Sequence, residues 1–123
     1  LCYAFKEVKG YSKFGSYLGN GNADGPFVFT GFKPAWILIK GVTGTRNWII
    51  KDNKIDTYNT ATQVIYVNLS NAENDAQNMD LLSNGFKHRS TEGDGNADGV
   101  QYIYMAFAES PFVSSEGIPT TAR

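Results

Sequence analysis

The chain has 123 residues, 41% of them hydrophobic and 19% charged, and a formal net charge of −1. That length suits one domain with a real core, and that composition excludes a disordered chain. Its basic residues are scattered, unlike the concentrated positive surface of a nucleic-acid binder, and its longest apolar run, Ala35 to Ile39, is far below the roughly 20 residues of a membrane-spanning helix.

Apolar residues recur in short stretches separated by glycine, asparagine and aspartate, and no segment keeps the i, i+3, i+4, i+7 spacing of an amphipathic helix. The pattern predicts strands at Cys2–Val8, Tyr11–Leu18, Pro26–Phe32, Ala35–Lys40, Arg46–Asp52, Gln63–Leu69, Gly85–Ser90 and Val100–Glu109. Ala35–Lys40 follows Pro34, which is tolerated at a strand's first residue, and is apolar on both faces, so it is expected to be internal with Trp36 in the core. Ser70–Asn78 is polar and reads as a loop or a single helical turn, and Met79–Leu82 leads into the turn Ser83-Asn84-Gly85. In the last stretch Ile103, Met105 and Phe107 fall on one face and Tyr102, Tyr104, Ala106 and Ala108 on the other, which predicts a central strand. The expected fold is all-β, an antiparallel β-sandwich of jelly-roll type with about eight strands and little helix. It would occupy residues 1–112, followed by an extended tail over 113–123. The lone cysteine, Cys2, can make neither an internal disulfide nor a thiolate zinc cage, so packing alone must hold this fold. The first residue is Leu1 and no targeting motif is present, so the chain is expected to be a piece of a longer protein or a processed one.

Two segments echo each other. Gly21-Asn22-Ala23-Asp24-Gly25 returns as Gly95-Asn96-Ala97-Asp98-Gly99, and Tyr3-Ala4-Phe5-Lys6-Glu7 returns loosely as Met105-Ala106-Phe107-Ala108-Glu109. Similar turns and strands recur in any β-domain of this composition; the sharper reading makes Leu1–Glu7 the closing strand of a preceding tandem copy. Asp94, Asn96 and Asp98 supply oxygen at positions 1, 3 and 5 of a calcium loop, with Gly99 at position 6, and are the candidate ligands of a calcium ion. Position 12 is Met105 instead of a bidentate glutamate, so the loop is no EF-hand. The competing reading is structural, since Asn-Gly and Asp-Gly pairs supply the positive φ that hairpin turns require.

His88 alternates with Phe86 beside Lys87 and Arg89 and is expected on the surface; nothing marks a nucleophile within its reach. Carboxylates lie mainly in polar segments such as Glu73–Asp75 and Glu92–Asp94, and no glycine-rich stretch ends in the Gly-Lys-Ser/Thr of a phosphate loop. A binding role is therefore expected rather than an enzymatic one. Aromatic residues make up 14%, and rigid amphipathic rings are what sugar-binding and protein-binding surfaces use. Trp48, Tyr58 and Tyr66 stand in polar company and are the candidate contact residues.

The chain resembles a domain of structural proteins of tailed bacteriophages, marine ones especially, where it closes long tail or fibre-type polypeptides. The resemblance rests on Phe14-Gly15-Ser16-Tyr17 with Gly19-Asn20-Gly21, on Thr30 through Trp36 with Ile39-Lys40, on Leu82 through Lys87, and on Tyr102 through Phe112. These are turn and core residues, specific for a fold and nearly silent about a ligand. Asp94–Gly99 departs from the pattern, where relatives carry varied Ser/Asn/Gly turns. The resemblance implies a virion exterior, homo-oligomers or neighbouring virion subunits as partners, and host-surface glycans as targets. It implies an attachment or assembly module, with a purely structural self-assembling subunit, such as a capsid decoration or filament, as the alternative.

Overall fold

The computed structural model describes residues 1–110. Eight strands, β1 (Ser12–Leu18), β2 (Phe27–Phe29), β3 (Pro34–Gly41), β4 (Trp48–Asp52), β5 (Ile65–Tyr66), β6 (Met79–Leu82), β7 (Gly85–His88) and β8 (Gln101–Ala108), are joined by loops and one short helix, α1 (Gly93–Asn96). They form a five-stranded sheet of order β1-β8-β3-β4-β5 and a three-stranded sheet of order β2-β7-β6. Every pairing is antiparallel. The architecture is the sandwich-like all-β fold expected from the alternation. The chain crosses between sheets at β1–β2–β3, at β5–β6 and again at β7–β8, while β3–β5 run as a meander and β6–β7 as a hairpin.

Register across the larger sheet explains which residues form the core. Tyr104 lies opposite Gly15 on β1 and Ile39 on β3, Ile39 opposite Ile49, and Ile49 opposite Tyr66, so these residues share one face. A second row on that face joins Ala106, Ile37 and Lys51. The smaller sheet meets them with the row Val28, Phe86 and Leu81 and with the pair His88 and Met79. Phe86 is fully buried and meets Tyr104 edge-on at 5.3 Å and Tyr17 at 6.0 Å, which makes it the central contact between the sheets. β8 and β3 are internal strands, as their two apolar faces predict.

Several elements differ from the sequence reading. Cys2–Val8 is not a strand: only Val8 bridges to Ser12. The reason is local. The Ser12 hydroxyl donates to the Lys6 carbonyl and accepts from the Val8 N–H, so a side chain ends the ladder that Lys6 and Glu7 would otherwise extend. Met79–Leu82, read only as a lead into a turn, is a full strand. Trp36, expected in the core, is half-buried on the opposite face of β3 from Ile37 and Ile39, its ring 5.8 Å from that of Phe107. The single helical turn falls at Gly93–Asn96 and not within Ser70–Asn78. The tail expected over 113–123 lies outside the described residues.

Phe86→Ala is expected to cost about 3–5 kcal/mol in urea unfolding, because it empties the junction of the two sheets. Ile103→Ala, on the other face of the larger sheet and 48% exposed, should cost less than about 1 kcal/mol in the same assay.

Candidate functional site

The outer face of the five-stranded sheet follows from the same register. One row runs Phe14, Met105, Leu38, Ile50, Ile65 across all five strands. A second runs Ser16, Ile103, Lys40, Trp48, and a third Ser12, Phe107, Trp36, Asp52. These side chains point away from the smaller sheet, and among the described residues only the N-terminal segment lies over them. Phe5 packs on Phe14 at 6.3 Å and on Phe107 at 6.1 Å, and Tyr11 meets Phe107 at 5.8 Å. Beside that aromatic cluster is a hollow of about 320 Å³ whose lining includes Phe14, Leu38, Lys40, Trp48, Ile103 and Met105. Lys40 is its one charged side chain; its ammonium donates to the Arg46 carbonyl and sits 5.9 Å from the Trp48 ring centroid. On this face Ile103 and Trp48 are exposed, while Phe14, Met105, Leu38, Ile50 and Ile65 are half-buried, so among the described residues its apolar surface is covered only in part.

A second hollow, about 510 Å³, lies where the N-terminal segment passes β1 and β2, with Glu7, Lys9, Ser12, Lys13, Phe29 and Thr30 in its lining. Phe29 is 62% exposed there, and Lys13 and Glu7 form an ion pair at 2.7 Å. That pair holds the Glu7 carboxyl below its ordinary value, the Lys13 hydrogen bond being the largest cause.

The echoed loops meet each other at one end of the sandwich. Asn96 is wholly buried, its Oδ1 accepts from the Asn20 N–H, and its Nδ2 donates to Asn20 Oδ1 and to the carbonyls of Asn22 and Ser90. Backbone bonds Gly21 N–H to Asn96 O and Gly99 N–H to Gly19 O close the junction. Gly21 and Gly99 both take positive φ, 61° and 68°. From below, the Tyr17 hydroxyl donates to the Gly95 carbonyl at 2.7 Å, and the Tyr102 hydroxyl donates to Gly93 O and accepts from the Ala97 N–H. Asp94 accepts from the backbone N–H and the side-chain amide of Asn47, both at 2.9 Å.

Asp94, Asn96 and Asp98 therefore serve three separate tasks: Asp94 holds the β3–β4 loop, Asn96 ties the twin loops, and Asp98 is exposed. No group of three or more His, Cys, Asp or Glu side chains able to hold a metal occurs among the described residues. Trp48, Tyr58 and Tyr66 are not brought together either. Trp48 is on the outer face, Tyr66 shares the inner face with Ile49 and packs on the core, and Tyr58 is 85% exposed in the loop between β4 and β5.

Two buried ionisable groups escaped the sequence reading. His88, expected on the surface, is 1% exposed, with its ring 5.0 Å from that of Tyr17 and its Nε2 without a hydrogen-bond partner among the described residues. Burial, with the nearby Lys51 charge a smaller cause, brings its pKa down to about 3. The signal was its period-two alignment with Phe86, overridden by the charges of Lys87 and Arg89 on either side. Lys51, on the same inner face as Ile49, is 1% exposed and donates to the carbonyls of Ala61, Thr62 and Gln63 at 3.2, 3.0 and 2.7 Å. Burial brings its pKa down to about 8, opposed by the charge of Asp56. Its role is to satisfy three loop carbonyls that would otherwise be orphaned.

These features define a small sandwich-like β-domain whose larger sheet keeps an apolar face open among the described residues. Residues 1–111 match the model of a family described as a domain of unknown function (DUF7483), and the chain belongs to that family. No curated protein and no solved structure matches it. No helix among the described residues is long and apolar enough to cross a membrane.

Asn96→Asp replaces the amide donor with a charged acceptor facing two carbonyl oxygens, and is expected to cost about 3 kcal/mol in urea unfolding, unrelieved by millimolar calcium. His88 makes stability depend on acid. Between its ordinary value of 6.5 and about 3 the unfolded chain binds a proton that the folded chain does not, so stability is full above 6.5 and is lost as pH falls. By about pH 4 the loss should be on the order of 3 kcal/mol. His88→Phe should flatten that slope while leaving the shared contribution of the exposed ion pairs in place.

Proposed function

We propose that the chain is a non-catalytic module of a bacteriophage tail or fibre that mediates assembly, with the outer face of its five-stranded sheet seated on a neighbouring virion subunit. The observation that carries this reading is the row Phe14, Met105, Leu38, Ile50, Ile65, apolar across every strand of the sheet. A glycan needs several polar side chains around an aromatic platform, whereas this hollow offers Lys40 alone, already engaged by Arg46 O. The phage context rests on the resemblance of the turn and core motifs. The non-catalytic reading is supported by the engagement of five acidic side chains. Glu7 pairs with Lys13, Asp24 with Lys87, Asp80 with Arg89 and Glu109 with Lys54, while Asp94 is held by Asn47.

A second reading, glycan attachment, is favoured by the hollow beside Phe29, which combines an exposed ring with hydroxyl and charged groups. The two readings separate in one set of measurements. In virions or the assembled parent polypeptide, Trp48 should be shielded from acrylamide quenching relative to the isolated domain, and Met105→Glu should abolish incorporation while leaving the domain folded. Equal quenching in both states would refute the assembly reading. Saturable binding to a glycan array, lost in Phe29→Ala and kept in Met105→Glu, would support attachment instead.

A further inference from the structure

The backbone of β1 carries an observation independent of the outer face. Among the described residues β1 is a seven-residue edge strand paired on one side only, with β8. Which of its residues bond inward follows from the ends of the ladder: Gly19 N–H donates to Val100 O and Ala108 N–H to Tyr11 O, so the odd-numbered residues of this stretch face β8. The even-numbered residues Ser12, Phe14, Ser16 and Leu18 turn their N–H and C=O groups to the free side. Ser12 is satisfied there by Val8, and the Phe14 N–H faces the Glu7 carboxylate. Ser16 and Leu18 have no described backbone partner, and both are exposed, Leu18 at 61%.

Natural edge strands are guarded by proline, bulges, short length or central lysines. β1 has no proline, its pairing to β8 is unbroken over seven residues, and its one charged residue, Lys13, stands near its start and is tied to Glu7. We propose that β1 is a pairing edge for a second copy of this chain, joined antiparallel about a two-fold axis beside Tyr17. The occupant follows from the chemistry. Alternating donors and acceptors at this spacing are matched only by another extended backbone, and β1 complements itself. About that axis Ser16 lies opposite Leu18 of the second copy and Leu18 opposite its Ser16, giving four new backbone hydrogen bonds. The paired residues Ser16, Tyr17 and Leu18 carry no charge, so no like charges are opposed. The pairing would join two five-stranded sheets into one of ten, the isologous contact expected of a two-fold dimer.

The test uses a substitution that only the pairing can feel. Ser16→Pro removes an N–H that points away from β8, so the β1–β8 ladder is untouched and the ring sits where edge strands tolerate it. The wild-type domain is expected to sediment as a concentration-dependent dimer, with Ser16→Thr unchanged and Ser16→Pro weakened roughly ten- to a hundredfold in association, the two unfolding midpoints agreeing in dilute, monomeric protein. Hydrogen exchange on the wild type reads the same contact without any variant: the Ser16 and Leu18 amides should be protected in concentrated and exposed in dilute protein. A wild type that is monomeric throughout, a Ser16→Pro protein that associates as the wild type does, or Ser16 and Leu18 amides indifferent to concentration would each overturn the proposal. Met105→Glu should leave this dimer intact, which separates failure of the edge from failure of the outer-face reading.

Discussion

The fold depends on one constraint: β8 carries large apolar side chains on both faces, and a strand of that kind must be flanked on both edges. Its inward residues Tyr102, Tyr104 and Ala106 are nearly or wholly buried against the smaller sheet. Its outward residues Ile103, Met105 and Phe107 are covered only in part, Phe107 by Phe5, Phe14, Tyr11 and Trp36. The hydrophobic driving force therefore closes one side of the sheet and leaves the other incompletely closed. Removing apolar area from water is worth about 25 cal/mol per Å². A face left open in this way is a standing incentive for association.

The loop end is fixed by polar satisfaction instead. Two glycines there stand where a Cβ cannot fit: one added to Gly19 would lie 2.2 Å from Ala97 O, and one on Gly25 would lie 2.7 Å from His88 Cβ. That closeness lets a single buried amide, Asn96, reach both loops and Ser90. It also brings Tyr17 and Tyr102 from the core floor into contact with α1. Of the residues that suggest a cation loop in the sequence, Asn96 welds the two turns and Asp94 holds the β3–β4 loop, and the two echoed pentapeptides pack on each other.

Much of this was legible from period-two alternation. β1, β3, β4 and β8 stand where the sequence puts them, each an apolar-rich stretch of five residues or more. β6 was not legible: in Met79-Asp80-Leu81-Leu82 the charged residue is itself mostly buried, paired with Arg89 at 2.6 Å, so the polar phase of the alternation was hidden. Trp36 was misassigned because β3 is apolar on both faces, and only Lys40, two residues beyond Leu38 in the same phase, marks the outward side. The placement of the three aromatic residues was legible only in part. Of the aromatic residues singled out, Trp48 lies on the open face, while Tyr58 and Tyr66 belong elsewhere, since a loop's course and an edge strand's facing are set by tertiary pairing that one sequence does not display.

The open face and the free edge bear on each other through area. Five strands about 4.8 Å apart, read over some five residues of about 3.3 Å each, present on the order of 400 Å² of sheet. A stable protein interface takes about 800 Å² from each partner. One copy's outer face is therefore too small to hold a subunit firmly by itself, whereas two copies joined along β1 present a continuous face of about the required size. Avidity follows without any new contact, because the second face arrives already positioned by the first. In that arrangement Ser16 and Leu18 do not merely add four hydrogen bonds; they set whether the apolar rows of two sheets act as one surface or as two weak ones.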